Sequence, residues 1–568
     1  MFGVQALSTT VSALAATFVQ YGRHWTAEVA FKTTPASLNC YPFLPDLFQE
    51  SPPSASHPLM QEAAAKVDAY LRDRFQSGGG DIESISVAVV TSQARNNGSD
   101  ADRESSPLTS SHAMYRMASV SKLFEAVEAH VLKQRGALSW DDPVSKYLPD
   151  FAYRLDGYSP DNAGPFLEEE PITLRHLATH MSGLGHDWPP GDVSQWPSSV
   201  DGAGAPPTNG LPFPTIDAVL DSVAINRLVY PPGLYPSYSN AATGVLGPAL
   251  VAANRLASSD PSGEPTQYAD IVKRDVFDPM ALNGSHFLAT EENKHLLVVP
   301  SFETSIVDFD FLDAMNAAGG QWCSLSDAIT FTSTLLNPRH PKSVLTPYSM
   351  RNWLHATHSF EEDDWTELGL IWEIIKAMDS NHRLRRIYWK LVNYHSAIAI
   401  HPGTSYGVVV FMAGAYMDAA QITYHIFEIV QPYVDRALAE LATAMYVGHW
   451  RSSDGDSSAT ITVDPCANGT NAMDTFNAFN GPPEVVQGKR KKRFALRPTG
   501  RRDELRLDTG TPPLLCVLGR DDDWGMHHGA PTNLVYFTGS TEGWEQGRME
   551  QRTLHVPAMG DLQMRRSD

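Results

Sequence analysis

The stretch that most constrains the fold of this 568-residue chain is Tyr-Arg-Met-Ala-Ser-Val-Ser-Lys, at residues 115–122. A short alternating segment ends at Ser119, and the pattern of an amphipathic helix follows it. Lys122 comes one helical turn later, on the same face as Ser119. A serine hydroxyl needs a base beside it to act as a nucleophile, and a lysine amine can be that base once burial lowers its pKa. The pattern predicts a nucleophile at Ser119 with Lys122 as its base, or else a helix cap with a solvated lysine.

The charge balance excludes several classes of partner. The chain carries 43 Lys and Arg against 65 Asp and Glu, a net charge of −22, whereas a nucleic-acid-binding protein needs a broad basic surface. No stretch offers the roughly 20 strongly apolar residues of a transmembrane helix. We therefore predict a small-molecule substrate, no nucleic-acid partner and no integral membrane span. The sequence leaves the oligomeric state open.

The cysteines and the first residues say little about the compartment. Cys40, Cys323, Cys466 and Cys516 are scattered and form no C-x-x-C pair, so two disulfides and four free thiols are both open. Residues 1–19 are mildly apolar but lack the basic residue and the strong leucine run of a secretory signal. A cytoplasmic location is slightly favoured over secretion.

Three parts are predicted along the chain. Prolines interrupt residues 1–57, which show no clear period and form an N-terminal extension. From 58 to 445, strand patterns at the two ends enclose a series of helices, which predicts an α+β domain with one antiparallel sheet flanked by helices. Residues 446–568 carry short alternating strands separated by Gly, Asp and Pro, as expected for a small all-β domain.

Several elements of the larger domain can be predicted individually. Apolar residues recur at helical spacing over 58–75 and 420–444, and Ile and Val alternate over 82–90.

Residues 172–184 are predicted as one helix, with Thr173 near its N-cap and Gly183 near its C-cap. Residues 386–401 and 406–413 are predicted as two strands joined by a turn at 402–403. The Gly- and Pro-rich loop 188–214 is longer than an inert connection needs, which suggests that it covers a site.

A second motif, Tyr238-Ser239-Asn240, gives the first one a family context. S-x-x-K followed by Y-x-N resembles the serine β-lactamase and penicillin-binding-protein superfamily, in particular its class C-like branch with family VIII esterases and fungal β-lactamase-like hydrolases. The segments 138–149, 172–184 and 231–240 are similar to recurring phrases of that family and stand in its order. The resemblance spans roughly Pro58 to Ala444 and implies a β-lactamase/transpeptidase-like fold. The β-rich tail resembles the C-terminal domain of the fungal members.

The resemblance implies a role for each matching residue. Ser119 would attack an acyl carbon, Lys122 and Tyr238 would share the proton transfers, and Asn240 would orient Lys122 or the substrate. The backbone N–H of Ser119 and a second N–H from an edge strand would bind the oxyanion. A packing role for Tyr238 and an N-cap role for Asn240 are the alternatives, and the second is compatible with the orienting role.

The third motif of the family, K-[ST]-G or H-x-G, is altered here. The chain reads Lys-Leu-Val-Asn-Tyr-His at 390–395. Lys390 matches the first position and is the candidate electrostatic residue, with His395 in reserve and Asn393 as a further substrate-binding candidate. A side chain at the position of the family's glycine narrows the site, so we expect an ester, thioester or lactone rather than a penicillin-like amide. Ala118 also stands where the family often has glycine.

A zinc site is the main competing interpretation of the histidines. His176 and His180 are spaced i, i+4, and His186-Asp187 follows, but neither H-E-x-x-H nor H-x-H-x-D-H is present. A structural role is favoured, and neither a metal nor a cofactor is predicted. G-x-S-x-G is also absent from the sequence, which disfavours an α/β-hydrolase.

The predicted function is a serine hydrolase or acyltransferase that forms an acyl-enzyme on Ser119, with a specialised small-molecule substrate such as one from secondary-metabolite biosynthesis. Two alternatives stay open. The same fold could use Tyr238 and Lys122 as acid and base for a cyclisation or elimination without acylation. A catalytically inactive binding or scaffold protein is the second, and the altered third motif is its best support.

Overall fold

The computed structural model describes residues 47–93, 110–159, 161, 171–301, 309–378, 384–391, 395–462, 475–478, 495–508, 525–547 and 551–567. Asn393 lies outside the described residues, as do Cys40, Cys466 and Cys516.

The α-helices in the described part of the chain are α1 (Leu47–Glu50), α2 (Pro58–Ser77), α3 (Lys122–Gln134), α4 (Leu174–Ala178), α5 (Ile216–Ile225), α6 (Asn240–Ala257), α7 (Tyr268–Val272), α8 (Asp278–Met280), α9 (Leu312–Gly319), α10 (Leu325–Leu336), α11 (Pro347–Trp353) and α12 (Ala419–Tyr446). The strands are β1 (Ile82–Thr91), β2 (Met114–Arg116), β3 (Ser285–His286), β4 (Trp322–Ser324), β5 (His358–Ser359), β6 (Thr366–Leu368), β7 (Glu373–Met378), β8 (Leu384–Leu391), β9 (Ser396–His401), β10 (Tyr406–Gly414), β11 (Gly448–Ser452), β12 (Ser458–Thr462), β13 (Thr475–Ala478), β14 (Ala495–Pro498), β15 (Glu504–Asp508), β16 (Met526–His527), β17 (Ala530–Pro531), β18 (Leu534–Thr538), β19 (Thr553–Val556) and β20 (Leu562–Ser567).

A seven-stranded antiparallel sheet forms the centre of the larger domain, in the order β1-β10-β9-β8-β7-β6-β5. Its middle strands are buried on both faces. On β10, Val409 and Phe411 face the core that contains α3 and α6, whereas Val408 and Val410 face α12. Because successive residues of β10 face two different apolar cores, the sequence of this strand is apolar along its whole length. The predicted α+β architecture, a sheet flanked by helices, is confirmed.

Helix α3 lies inside the first of these cores. Every residue from Lys122 to Leu132 is buried, and the helix packs against α6 and α9. A helix buried all round holds its first turn rigidly. It therefore fixes the position of the side chains that begin it.

Two predicted elements need correction. The helix predicted over 172–184 is wrong in length: α4 ends at Ala178, and His180 takes a left-handed φ of 58°, which a helix cannot include. The strand predicted over 386–401 is wrong as a single strand. Residues 386–401 belong to the antiparallel pair β8 and β9, with Lys390 opposite Ile398. Apolar residues lie on both sides of the chain reversal, and for this reason the sequence pattern resembles one strand. The predicted helices at 58–75 and 420–444 and the strand at 82–90 are confirmed.

The tail forms a second antiparallel sheet of eight strands, in the order β13-β12-β11-β20-β19-β18-β15-β14. Tyr446, at the end of α12, packs its ring 4.8 Å from that of Phe537, and His57 stacks on Trp544 at 5.4 Å. One apolar core runs from α12 into this sheet. The division into 1–57, 58–445 and 446–568 stays a prediction.

The structure also bears on two sequence predictions, the state of the cysteines and the absence of a membrane span. Cys323 is a buried free thiol on β4, which leaves at most one disulfide. Within the described residues, no helix combines the length and the apolar character that crossing a bilayer requires.

Candidate active site

Ser119 lies where strand β2 turns into helix α3. The chain leaves β2 at Arg116, passes through a 3-10 turn over Ala118–Ser121 and enters the helix. Ala118 takes a left-handed φ of 46°, which costs a non-glycine residue about 1 kcal/mol. The turn holds Ser119 with only 7% of the residue exposed. The nucleophile candidate is therefore nearly buried at the edge of the core.

Lys122 is held beside Ser119 by hydrogen bonds. Its Nζ donates to Ser119 Oγ at 2.8 Å, to Asn240 Oδ1 at 2.7 Å and to the Ala318 carbonyl at 2.6 Å. The side chain is fully buried, and this burial is the main reason that the pKa of Lys122 is lowered. A buried amine of lowered pKa can take a proton from a serine hydroxyl. The alternative of a solvated lysine is wrong.

Tyr238 approaches Ser119 from the segment that precedes helix α6. Its Oη donates to Ser119 Oγ at 2.7 Å. Burial alone would raise the pKa of Tyr238, but the ammonium groups of Lys122 and Lys390 lie 5.2 and 4.9 Å from its ring centre and lower it. The net effect is a phenol that ionises more readily than a free tyrosine, in contact with the serine.

Ser239, and not Asn240, caps helix α6. Ser239 Oγ accepts from the Ala242 N–H at 2.9 Å and donates to the Gly185 carbonyl at 2.7 Å. The N-cap alternative for Asn240 is therefore wrong, and Asn240 is the first helical residue. Its Oδ1 faces the lysine, and its Nδ2 donates to Asp187 Oδ1 at 2.8 Å.

His180 supports the Tyr238 segment. Its Nδ1 accepts from the Ser239 N–H at 3.2 Å, its carbonyl accepts from the Ser237 N–H at 2.8 Å, and its ring lies 4.5 Å from that of Tyr238. Burial, with smaller effects of nearby cations, lowers the pKa of His180 well below its usual range, so the ring is neutral. In the part of the chain that the structure describes, no three His, Cys, Asp or Glu side chains are grouped to hold a metal ion.

Lys390 lies on β8 with its ammonium over the Tyr238 ring. The residue is 0% exposed, and its Nζ lies 2.6 Å from Glu373 Oε1 on β7. Burial would lower the pKa of Lys390, but the Glu373 carboxylate and Tyr238 raise it. The lysine therefore stays charged. The contacts join these predicted residues into one cluster: Ser119, Lys122, Tyr238, Asn240 and Lys390.

His395 is hydrogen-bonded to β10, whereas Lys390 lies on β8, on the opposite side of β9. It has a left-handed φ of 69°, and its carbonyl accepts from the Met412 N–H at 2.7 Å. Burial lowers the pKa of His395, while a hydrogen bond with the Gly414 backbone acts in the opposite direction. Both partners belong to β10. Asn393, the other predicted substrate-binding residue, lies outside the described residues.

Sequence reasoning missed three groups in the cluster: Asp187, Glu373 and the Ala318 carbonyl. Asp187 enters the sequence interpretation only as a possible metal ligand next to His186. A usable signal did exist, because an asparagine whose oxygen faces a lysine needs a separate acceptor for its NH₂ group. No motif marks Glu373 or Ala318, which reach the site through the sheet and helix α9.

The expectation that the loop 188–214 covers a site stays a prediction. Near its end, Phe213 stacks on Phe311 with 4.3 Å between the ring centres. A Cβ placed on Gly319 would lie 3.6 Å from the Phe311 ring and 3.5 Å from the Ala118 carbonyl carbon. Gly319 therefore lies between the Phe311 ring and the turn that carries Ser119.

The beta-lactamase family model matches residues 67–431, more than half of the chain. The chain belongs to the beta-lactamase family. Membership accounts for the order of the motifs, for the antiparallel sheet and for the buried helix that begins at Lys122.

Individual relatives and solved structures differ in how much of the chain they match. Beta-lactamase-like protein str6 of Strobilurus tenacellus is 34% identical over 319 residues, which cover 53% of this chain and 99% of that protein. Esterase EstB of Burkholderia gladioli is 39% identical over 87 residues, 15% of this chain and 20% of the esterase. A crystal structure of a beta-lactamase/D-alanine carboxypeptidase from Yersinia pestis is 20% identical, with a TM-score of 0.48, and covers 66% of this chain and 99% of that one.

Proposed function

We propose that the protein is a serine hydrolase or acyltransferase that forms an acyl-enzyme on Ser119 with an ester, thioester or lactone-type small molecule. The observation that carries the proposal is the pair of hydrogen bonds to Ser119 Oγ, from Lys122 at 2.8 Å and from Tyr238 at 2.7 Å. A hydroxyl between two groups of lowered pKa can lose its proton as it attacks. Family membership and the local similarity to an esterase support acyl chemistry.

In the first half-reaction, Ser119 Oγ forms a bond to the acyl carbon, and its proton passes to whichever of Lys122 and Tyr238 is unprotonated. The Ser119 N–H, in the 3-10 turn that leads into the buried helix, is the expected oxyanion donor on this segment. The bond to the leaving oxygen or sulfur then breaks, and the same proton goes to the leaving alcohol or thiol. The acyl group stays on Ser119.

In the second half-reaction, water or an acceptor alcohol attacks the acyl carbon and gives its proton to the same pair of groups. Ser119 Oγ leaves and recovers a proton from the pair, and the product is an acid or a new ester. Lys390 supports both halves, because its buried charge next to Tyr238 favours the phenolate. Glu373 keeps Lys390 charged.

Two features support an ester rather than a penicillin-like amide. Leu391 follows Lys390 on β8, where the family motif has a hydroxyl residue. The stacked rings of Phe213 and Phe311 lie across Gly319 from the Ser119 turn, and an apolar acyl group bound against them would gain free energy by leaving water.

The test is covalent labelling of the whole chain. A fluorophosphonate probe should modify the wild type at Ser119, identified by mass spectrometry of its peptide, and should leave Ser119→Ala unmodified. An aryl ester should give a burst of alcohol release equal to the enzyme concentration if deacylation is slower. Activity that survives in Ser119→Ala but is lost in Tyr238→Phe would favour acid/base chemistry without acylation. A wild type that is folded, unlabelled and inactive on acyl substrates would favour a binding protein.

A further inference from the structure

Asp187 lies behind Asn240, on the side away from Lys122. Its side chain is 9% exposed, and its Oδ1 accepts from Asn240 Nδ2 at 2.8 Å. Its other oxygen is hydrogen-bonded to His186 Nδ1. Burial alone would raise the pKa of Asp187, but the hydrogen bonds from His186 and Asn240 lower it. Asp187 is therefore a carboxylate that only accepts hydrogen bonds.

The backbone holds this carboxylate in register with helix α6. The His186 carbonyl accepts from the Asn240 N–H at 2.8 Å and from the Ala241 N–H at 3.4 Å. The segment that carries Asp187 is therefore bonded to the first turn of the helix that carries Asn240. Side chain and backbone together fix the distance between the two residues.

An asparagine amide has two orientations, and its neighbours decide between them. The Lys122 ammonium has donors only, and the Asp187 carboxylate has acceptors only. In the observed orientation, Asn240 Oδ1 faces Lys122 at 2.7 Å and Nδ2 faces Asp187. The flipped amide would set donors against the ammonium and an oxygen against the carboxylate, and both contacts would be repulsive.

We propose that Asp187 is a positioning residue for acylation: it fixes the orientation of Asn240, and through Asn240 it holds the Lys122 amine against Ser119 Oγ. The chain of contacts runs from Asp187 through Asn240 and Lys122 to Ser119, with lengths of 2.8, 2.7 and 2.8 Å. Asp187 does not touch the reacting atoms in this arrangement. The inference rests on the proposed acyl-enzyme function.

The test is a double-mutant cycle on the acylation rate. Asp187→Ala removes the acceptor, and Asn240→Ala removes the group through which Asp187 acts. We expect Asp187→Ala to lower the rate of fluorophosphonate labelling and the kcat for p-nitrophenyl butyrate by about 10- to 100-fold, with KM changed less than about threefold. In the Asn240→Ala background the same substitution should change the rate by less than about twofold. Asp187→Asn, whose amide oxygen can still accept from Asn240, should recover part of the loss.

The controls separate this inference from the proposed function and from loss of the fold. Asp142→Asn removes a partly buried carboxylate that accepts from Tyr147 Oη and from the Ser139 N–H. These partners do not belong to the cluster around Ser119, so the variant should keep the wild-type rate. If Asp187→Ala unfolds, the cycle is run with Asp187→Asn, whose rate relative to wild type should then fall by at least threefold. A wild type that forms no Ser119 adduct overturns the proposed function. The positioning role is overturned if the wild type is labelled at Ser119 and the Asp187 variants react at the wild-type rate. It is also overturned if the losses of the two single variants multiply in the double mutant.

Discussion

Replacing Lys390 with methionine removes one positive charge from beside Tyr238 and keeps a side chain of similar length. Lys390 Nζ lies 4.9 Å from the ring centre, and two unit charges at that separation interact by about 3 kcal/mol at an effective dielectric constant of about 20. Glu373, 2.6 Å from the same Nζ, raises the pKa of Tyr238 and so opposes part of this effect. The net loss for the phenolate is therefore smaller than the pairwise energy.

We expect kcat/KM for an ester to fall by about 10- to 100-fold in Lys390→Met. The pKa of Tyr238 is lowered by this lysine in the wild type, so its removal raises that pKa. The unprotonated phenol then becomes available only at higher pH. The limb on which kcat/KM rises with pH should accordingly move to higher pH.

The assay is the pH profile of kcat/KM for p-nitrophenyl butyrate, with the melting temperature of each variant measured in parallel. Lys376→Met is the matched control, because Lys376 lies on the neighbouring strand β7 and pairs with Glu367 at 3.2 Å. The variant Lys390→Met/Glu373→Gln removes both charges and shows how much of the loss comes from an uncompensated carboxylate. An unshifted pH profile in a folded Lys390→Met protein would refute the electrostatic role.

Three other substitutions test separate parts of the structure. Tyr238→Phe should lower kcat by about 10²- to 10⁴-fold with a small change in KM. A steady-state kcat lowered by less than tenfold would contradict the role of Tyr238 in proton transfer. Ala118→Gly should raise the free energy of unfolding by up to about 1 kcal/mol, because glycine tolerates the left-handed φ of 46°. A lower free energy of unfolding for this variant in urea would show that the backbone at Ala118 is not strained. Glu125 is fully buried, and this burial raises its pKa well above 4.5, although the charges of Lys122 and Lys390 act in the opposite direction. Its folded-state pKa exceeds the unfolded value, so the contribution of Glu125 to the free energy of unfolding falls as the pH rises above about 4.5. Thermal melts of wild type and Glu125→Gln at several pH values should show the variant gaining stability relative to wild type as the pH rises.

The spacing of Ser119 and Lys122 could be predicted because a helix fixes it locally. The hydrogen bond of 2.8 Å between their side chains follows from three residues of helix and a buried first turn. Tyr238, Asn240 and Lys390 were found by their motifs, and the structure connects them to the same cluster. The left-handed His180 could not be predicted, because it depends on the hydrogen bonds that its carbonyl and ring make to the Tyr238 segment.

The sequence alone determined the local geometry: the helix that begins at Lys122, the alternating strands and the small all-β tail. The tertiary structure decided which distant groups act together. Ser119 and Tyr238 are 119 residues apart, and they meet because α3 and α6 pack within one core. Asp187 and Glu373 take part for the same reason. No periodicity records such contacts, because a side chain's partner across a core depends on how whole helices and strands pack.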